Sequence, residues 1–153
     1  MISELIVTIF NLGKIKWAPG TVGSFFSIIL IFCLNYYTEK LNFIIIFFII
    51  LVIAFISISK YSKRINKIDS KEIIIDEFIG IYLIFFFYDF IMINNEILKL
   101  CLIFVLFRFF DIFKLFPANI IEKKFQNSFG VIFDDIIAGI YTIITLSFLN
   151  VVL

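Results

Sequence analysis

Long runs of hydrophobic residues fill most of this chain, and short polar clusters separate them. A helix that crosses a bilayer needs about 20 predominantly apolar residues. Four runs are about that long, over residues 41–59, 73–93, 97–116 and 131–153. Residues 22–37 form a fifth run that is short for a span. The pattern therefore predicts an all-α, polytopic integral membrane bundle of four to five membrane helices.

The segments before and between these runs are predicted to be short helices, turns or loops. Residues 1–12 are apolar but too short to span, which predicts a short N-terminal interfacial or buried helix. Residues 13–24 hold three glycines, one proline and two hydroxyl side chains, a composition typical of an ordered turn that leads into a helix. Residues 60–72 and 117–130 are predicted loops. We predict a single membrane-embedded domain over residues 1–153.

Composition supports a membrane protein and excludes several kinds of chemistry. The chain is 63% hydrophobic and 16% charged, whereas soluble domains average about 45–50% and about 25%. A net charge of +1 argues against a nucleic-acid partner. The absence of histidine removes every mechanism that needs an imidazole base or ligand. Cys33 and Cys101 lie in apolar runs and are predicted to be inert, unpaired core thiols.

The distribution of basic residues predicts the orientation of the chain. Segments 1–23, 60–72 and 117–130 hold nine Lys and Arg residues, whereas the opposite turns hold only Lys40 and Lys99. Cytoplasmic loops carry the excess of Lys and Arg. The first three segments are therefore predicted to face the cytoplasm.

Charged side chains lie inside three of the apolar runs, near their predicted cytoplasmic ends. Asp76, Asp111 and Asp134 are each about 5–8 Å from that end of their helix, at 1.5 Å per residue. A charge at the centre of a membrane helix costs roughly 2.5–3.5 kcal/mol on insertion scales, so such residues indicate function by default. These side chains are therefore expected to meet at the depth of a lipid headgroup.

The spacing of the charged residues allows two interpretations. Arg108, Asp111 and Lys114 share one helix face, either as an ion-pair ladder that lets the helix insert or as a surface that holds phosphate oxygens. Adjacent acids occur as Asp76–Glu77 and Asp134–Asp135, and small residues follow one helical turn later. Those small residues are typical of close helix packing in membranes, which does not account for the carboxylates. They are Gly80, Ala138 and Gly139.

The five acids and two bases of these clusters sum to a charge of −3, which favours binding of a cation. Oxygen ligands alone suit Mg²⁺ or Mn²⁺. One divalent ion leaves a charge of −1, so a phosphate would still need a second ion, a protonated carboxylate or the mobile Lys14 and Lys16. The candidate metal ligands are Asp76, Glu77, Asp111, Asp134 and Asp135, and the candidate catalytic residues are Asp76, Asp111, Asp134 and Asp135. The candidate phosphate-binding residues are Arg108, Lys114, Thr21 and Ser24. For Thr21 and Ser24, capping of the helix that follows the 13–24 turn is as good an interpretation as phosphate binding.

Four blocks of the sequence together resemble the phosphatidylglycerophosphatase A family. They occur in the family's order and cover residues 13 to about 142. The blocks are Ala18–Ser24, Asp76–Gly80, Phe107–Lys114 and Gly130–Gly139. The chain departs from the family pattern in loops, for example with Leu115 where a proline usually follows the position of Lys114.

The resemblance implies a multi-pass enzyme of the bacterial inner membrane with its active site facing the cytoplasm. It would hydrolyse the terminal phosphomonoester of phosphatidylglycerophosphate with Mg²⁺, and its partner would be that phospholipid in the bilayer. Two alternatives stay open for the attacking group: metal-activated water, or a carboxylate that attacks phosphorus directly. The alternative function is a non-enzymatic transporter or cation-conducting subunit that uses the same intramembrane carboxylates.

Overall fold

A computed structural model describes residues 1–68 and 70–152, which fold entirely as helices and connecting turns. Short 3₁₀ turns lie at Leu12–Lys14 and Tyr88–Phe90. The α-helices are α1 (Ile2–Val7), α2 (Pro19–Tyr37), α3 (Lys40–Ile65), α4 (Ile75–Phe85), α5 (Glu96–Phe113), α6 (Ala118–Lys124) and α7 (Ser128–Val152). The all-α prediction is therefore confirmed for the described part of the chain.

The predicted number of four to five membrane helices is wrong. Among the described residues, three helices are long and apolar enough to cross a membrane, namely α2, α3 and α7. The run at 73–93 contains only the 11 residues of α4, about 16 Å of helix, before the chain turns. The run at 97–116 forms the 18-residue α5, which carries four charged residues. Hydrophobic length alone did not reveal where α4 ends.

Helix α4 is the centre of the bundle. Ten of its 11 residues are buried, and only Leu83 is partly exposed. It packs most extensively against α7 and α2. A helix that is apolar on every side is typical of a buried position. The sequence pattern of α4 thus reflects contact with protein on all sides.

Helices α2 and α3 form the outer surface. Their outward positions are large apolar side chains, such as Phe25 and Ile29 on α2 and Phe48 and Val52 on α3. Exposed apolar surface of this extent is what lipid contact requires. Cys33 and Cys101 are also exposed and unpaired, so the prediction that these thiols are buried is wrong.

Two glycines bring α4 and α7 into close contact. A Cβ atom added at Gly80 would lie 2.5 Å from the carbonyl oxygen of Asp135. A Cβ atom added at Gly139 would lie 2.5 Å from the carbonyl oxygen of Gly80. Only glycine permits this approach of the two backbones. Because Asp76 lies one turn before Gly80, the crossing sets the acids of α4 against those of α7.

Several predicted boundaries shift in the structure. Helix α2 begins at Pro19, whose missing N–H and fixed φ suit the first helical position. Its N-cap is Ala18, with a φ of 44° and no side-chain hydrogen bond, so the prediction that Thr21 or Ser24 caps this helix is wrong. Helix α3 continues to Ile65 into the predicted loop 60–72, and the predicted loop 117–130 contains α6.

The N-terminal segment ties the loops on one side of the bundle together. Glu4 pairs with Lys14 and with Arg64, at 2.8 Å from the latter, and hydrogen bonds from these two side chains lower the pKa of Glu4 to about 2. The backbone N–H of Ile74 donates to the carbonyl of Val7 at 2.9 Å. These contacts hold the start of α4 against α1 and the end of α3.

Candidate active site

One cavity of about 390 Å³ collects most of the predicted site residues. Its wall is built from the start of α2, the turn before α4, the first turn of α4, the end of α5 and the first half of α7. The charged residues that line it are Asp76, Glu77, Asp111, Asp134, Asp135, Arg108, Lys114, Lys16 and Lys71. All five predicted acids and both predicted bases therefore share one cavity, as the hypothesis of a common site requires.

Arg108 connects three helices at the base of this site. Its Nη1 donates to Oε1 of Glu77 at 3.0 Å and to Oδ2 of Asp111 at 2.6 Å. A longer contact of 3.4 Å joins the same nitrogen to the Ser24 hydroxyl. The side chain is only 16% exposed, and its Nε is buried with no hydrogen-bond partner among the described residues. The guanidinium therefore pairs with two carboxylates through one nitrogen, and no described residue accepts from its Nη2.

Ser24 and Thr21 lie in different surroundings, although both were predicted to bind phosphate. Ser24 is fully buried, and its hydroxyl donates to Oε2 of Glu77 at 2.6 Å. It is not part of the cavity wall, whereas Thr21 is. Ser24 thus orients Glu77 from behind, and Thr21 remains the hydroxyl that a ligand in the cavity can reach.

Lys114 does not belong to the helix face on which the sequence placed it. Helix α5 ends at Phe113, and Lys114 follows it with a left-handed φ of 41°. The spacing of Arg108 and Asp111 produces the expected contact within α5. The turn instead directs Lys114 to α7, where its Nζ lies 2.7 Å from Oδ2 of Asp134. The expectation of a three-residue ladder on one face is wrong because the helix stops before its third member.

Asp76 and Asp135 are the two acids of the cavity that make no ion pair with any described residue. Both are buried, at 8% and 3% exposure. Oδ1 of Asp76 accepts the backbone N–H of Glu77 at 3.0 Å. Both residues line the cavity, and no Lys or Arg nitrogen of a described residue lies within salt-bridge distance of either carboxylate.

The start of α2 contributes backbone N–H groups to the cavity. The first N–H groups of a helix have no partner within the helix, and none of the described backbone carbonyls accepts from Gly20 or Thr21. A Cβ atom added at Gly20 would lie 2.3 Å from Oε1 of Glu77 and 3.1 Å from Nη1 of Arg108. Gly20 therefore lets this helix end approach the charged cluster, where its amides can bind an anion.

Lys71 and Gly20 were not predicted from the sequence as residues of the site. Lys71 lies in a predicted polar loop, and several lysines there look alike in sequence. The signal for Gly20 was its place directly after Pro19 in the first block, which indicates a helix start. Lys16, which with Lys14 was one of the alternatives for balancing the charge of a phosphate, lines the cavity as well.

The donor set of the cavity suits a hard cation, although it does not form a complete cage. Within the described residues, no group of three or more Asp, Glu or Cys side chains is placed to hold a metal ion. Three of the five acids form salt bridges with Arg108 or Lys114. Mg²⁺ often uses only one or two carboxylates and completes its coordination with water and substrate phosphate. Asp76 and Asp135 fit that requirement, because neither is neutralised by a described cation.

Comparisons with known proteins agree on one family. A family model described as phosphatidylglycerophosphatase A matches residues 5–150. The chain is 31% identical over 142 residues to the phosphatidylglycerophosphatase A of Haemophilus influenzae, which covers 92% of this chain and 84% of that protein. It is 24% identical over 137 residues to the protein of the same name from Escherichia coli K12, covering 90% and 77%. No solved structure matches this chain significantly.

Proposed function

This chain belongs to the phosphatidylglycerophosphatase A family and is a phosphatase, and we propose that it hydrolyses phosphatidylglycerophosphate to phosphatidylglycerol and inorganic phosphate with Mg²⁺. One observation carries the proposal. Five carboxylates and an arginine from three separate helices, and a lysine from the turn after α5, line a single cavity. Because burying this many charges is costly without a partner, the arrangement is best explained by a charged ligand that enters the cavity.

Three groups are suited to hold the phosphate that is cleaved. Arg108 has an Nη2 to which no described residue is bonded, and Lys114 lines the same cavity. The amides of Gly20 and Thr21 at the start of α2 contribute donors that need no charged side chain. Donors that are already fixed in place stabilise the charge that develops in phosphoryl transfer most effectively. The salt bridges of Arg108 supply that fixation.

Asp76 and Asp135 are the residues we assign to hold Mg²⁺, with Glu77, Asp111 and Asp134 around them. Bound there, the ion would supply positive charge to the phosphate oxygens and to the leaving oxygen. The cluster of five acids and two bases has a charge of −3, so a phosphate enters unfavourably unless such charge is added.

A carboxylate of this cluster would act as the general base. In the simplest reaction it takes a proton from a water molecule, and the water oxygen bonds to phosphorus. The bond between phosphorus and the glycerol oxygen breaks, and that oxygen receives a proton as phosphatidylglycerol leaves. Direct attack by a carboxylate remains the second route. Of the two acids without an ion pair, Asp76 and Asp135, one would take either role while the other holds the ion.

We further propose that the cavity faces the cytoplasm of a bacterial inner membrane. The loops that border it, around residues 13–18 and 70–74, belong to the basic segments of the chain. The charge bias of membrane proteins places such segments in the cytoplasm. This location puts the acids near the surface where a lipid headgroup lies, and it also argues against a path for ions across the bilayer.

The test is phosphate release by purified protein in micelles that contain phosphatidylglycerophosphate. Activity is expected with added Mg²⁺ and is expected to disappear with a chelator and return when Mg²⁺ is restored. Chelator-resistant phosphate release would reject the assigned metal. Cation flux into liposomes without phosphate release would favour the transport alternative over the phosphatase.

A further inference from the structure

Two lysines on the rim of the active-site cavity have no role in the reaction described so far. Lys16 lies before the start of α2, and Lys71 lies in the turn before α4. Both line the cavity and both are exposed. Neither forms a salt bridge with a described residue, whereas Arg108 and Lys114 do. They are therefore the cations of the cavity that have no carboxylate partner among the described residues.

The two lysines project from loops that touch each other. A Cβ atom added at Gly13 would lie 2.0 Å from the carbonyl oxygen of Glu72, so the loops meet at these residues. The hydroxyl of Tyr61 also donates to Oε2 of Glu72 at 2.6 Å. Lys71 precedes Glu72 directly, and Lys16 follows Gly13 by three residues. The backbone beneath both lysines is thus held in place, which lowers the entropy cost of binding with them.

Lys16 and Lys71 change the net charge of the cavity. The five acids together with Arg108 and Lys114 sum to −3, and Lys16 and Lys71 bring the described lining residues to −1. An anion among the acids needs a bound cation, while an anion at the lysines does not. The proposed substrate carries two phosphates, a terminal monoester and an inner diester. Only the monoester has to reach the acids.

We propose that Lys16 and Lys71 form a second phosphate subsite, which binds the inner phosphodiester of the substrate while the terminal phosphate lies among the carboxylates. This inference rests on the proposed function and assigns how the enzyme selects a lipid with two phosphates. The subsite holds the part of the headgroup that does not react. It therefore contributes to substrate binding, and it leaves the chemical step to the other residues.

The test uses the double variant Lys16→Gln/Lys71→Gln in mixed micelles. The KM for phosphatidylglycerophosphate is expected to rise about 10-fold to 100-fold, because hydrogen bonds to charged groups are lost, while kcat stays unchanged. Inhibition by each of the two reaction products distinguishes the two subsites. The inhibition constant of phosphatidylglycerol, which keeps only the inner phosphate, rises to a similar extent, and that of inorganic phosphate does not change.

The matched control is Lys63→Gln/Lys67→Gln, which removes two exposed positive charges from the same side of the bundle but outside this cavity. It should leave KM unchanged, and Lys16→Arg/Lys71→Arg should retain tight binding. An equal rise in KM in the control would show general attraction to the micelle surface and overturn the subsite. An unchanged inhibition constant for phosphatidylglycerol in Lys16→Gln/Lys71→Gln would also overturn the subsite. A wild-type protein that releases no phosphate would reject the proposed function itself, and this inference with it.

Discussion

The two acidic pairs, Asp76–Glu77 on α4 and Asp134–Asp135 on α7, share a local structure but differ in which acid is neutralised. In each pair the first aspartate accepts the backbone N–H of the second residue, at 3.0 Å and 3.2 Å. On α4 the second acid, Glu77, is paired with Arg108. On α7 the first acid, Asp134, is paired with Lys114. One acid of each pair thus has an ion-pair role within the protein, and the other faces the cavity without a described cation.

In each motif of two adjacent acids, one acid therefore forms an ion pair within the protein and the other is available to a ligand. Adjacent residues of a helix point about 100° apart, so both acids cannot face the same partner. Arg108 and Lys114 approach from α5 and from the turn after it, and their positions decide which acid is neutralised. The acids left over, Asp76 and Asp135, come from different helices that meet at Gly80 and Gly139.

The largest expected effect comes from the acids that have no ion pair. Asp76→Asn and Asp135→Asn should each lower phosphate release by about 10²-fold to 10⁴-fold, the range associated with loss of a positioned acid–base group. Their thermal stability should stay equal or increase, because a buried charge without a partner is removed. Phosphate release and unfolding in detergent measure the two effects. Asp89→Asn is the control, since Asp89 is an exposed partner of Lys40 away from the cavity. A loss of activity in the control as large as in the variants would contradict the assignment.

The next largest effect is expected where α4 and α7, the helices that carry the two acidic pairs, come into close contact. Gly139→Ala places a methyl group 2.5 Å from the carbonyl oxygen of Gly80, so α4 and α7 must separate. Overpacking of this kind costs about 1–3 kcal/mol, and activity should fall as well because Asp76 and Asp135 move apart. Ser147→Ala, at an exposed position of α7, serves as the control. Unchanged unfolding and unchanged phosphate release in Gly139→Ala would mean that the close approach has no functional consequence.

The smallest effect is expected at Glu77, the acid of the α4 pair that forms an ion pair. Glu77→Gln keeps the shape of the side chain but removes the charge opposite Arg108, which still has Asp111. Stability should fall by about 1 kcal/mol, the size of a typical net hydrogen-bond contribution. The fractional loss of activity should be smaller than in Asp76→Asn, which sharpens the contrast within one pair. If Glu77→Gln proves less active than Asp76→Asn without a loss of stability, the assigned division of roles is reversed.

Several features of the site followed from residue order alone. Arg108 and Asp111 are three residues apart on a helix, and they form the expected contact. Gly80 and Gly139 lie one turn after an acid, and the close packing that small residues indicate is present. These predictions succeeded because they depend on helix geometry over a single turn. The position of Lys114 was predicted wrongly because it depends on where α5 ends, and hydropathy does not mark that point.

The amino-acid sequence alone established the membrane class, the all-helical structure, the family and seven of the nine described charged residues of the cavity. These follow from composition, from the period of the helix and from the order of short motifs. Tertiary structure decided that α4 is a short buried helix, that Ser24 lies behind Glu77, and that Lys16 and Lys71 reach the cavity. The physical reason is that burial and ion pairing depend on neighbours distant in sequence, and only the packing of α2, α5 and α7 around α4 brings those neighbours together.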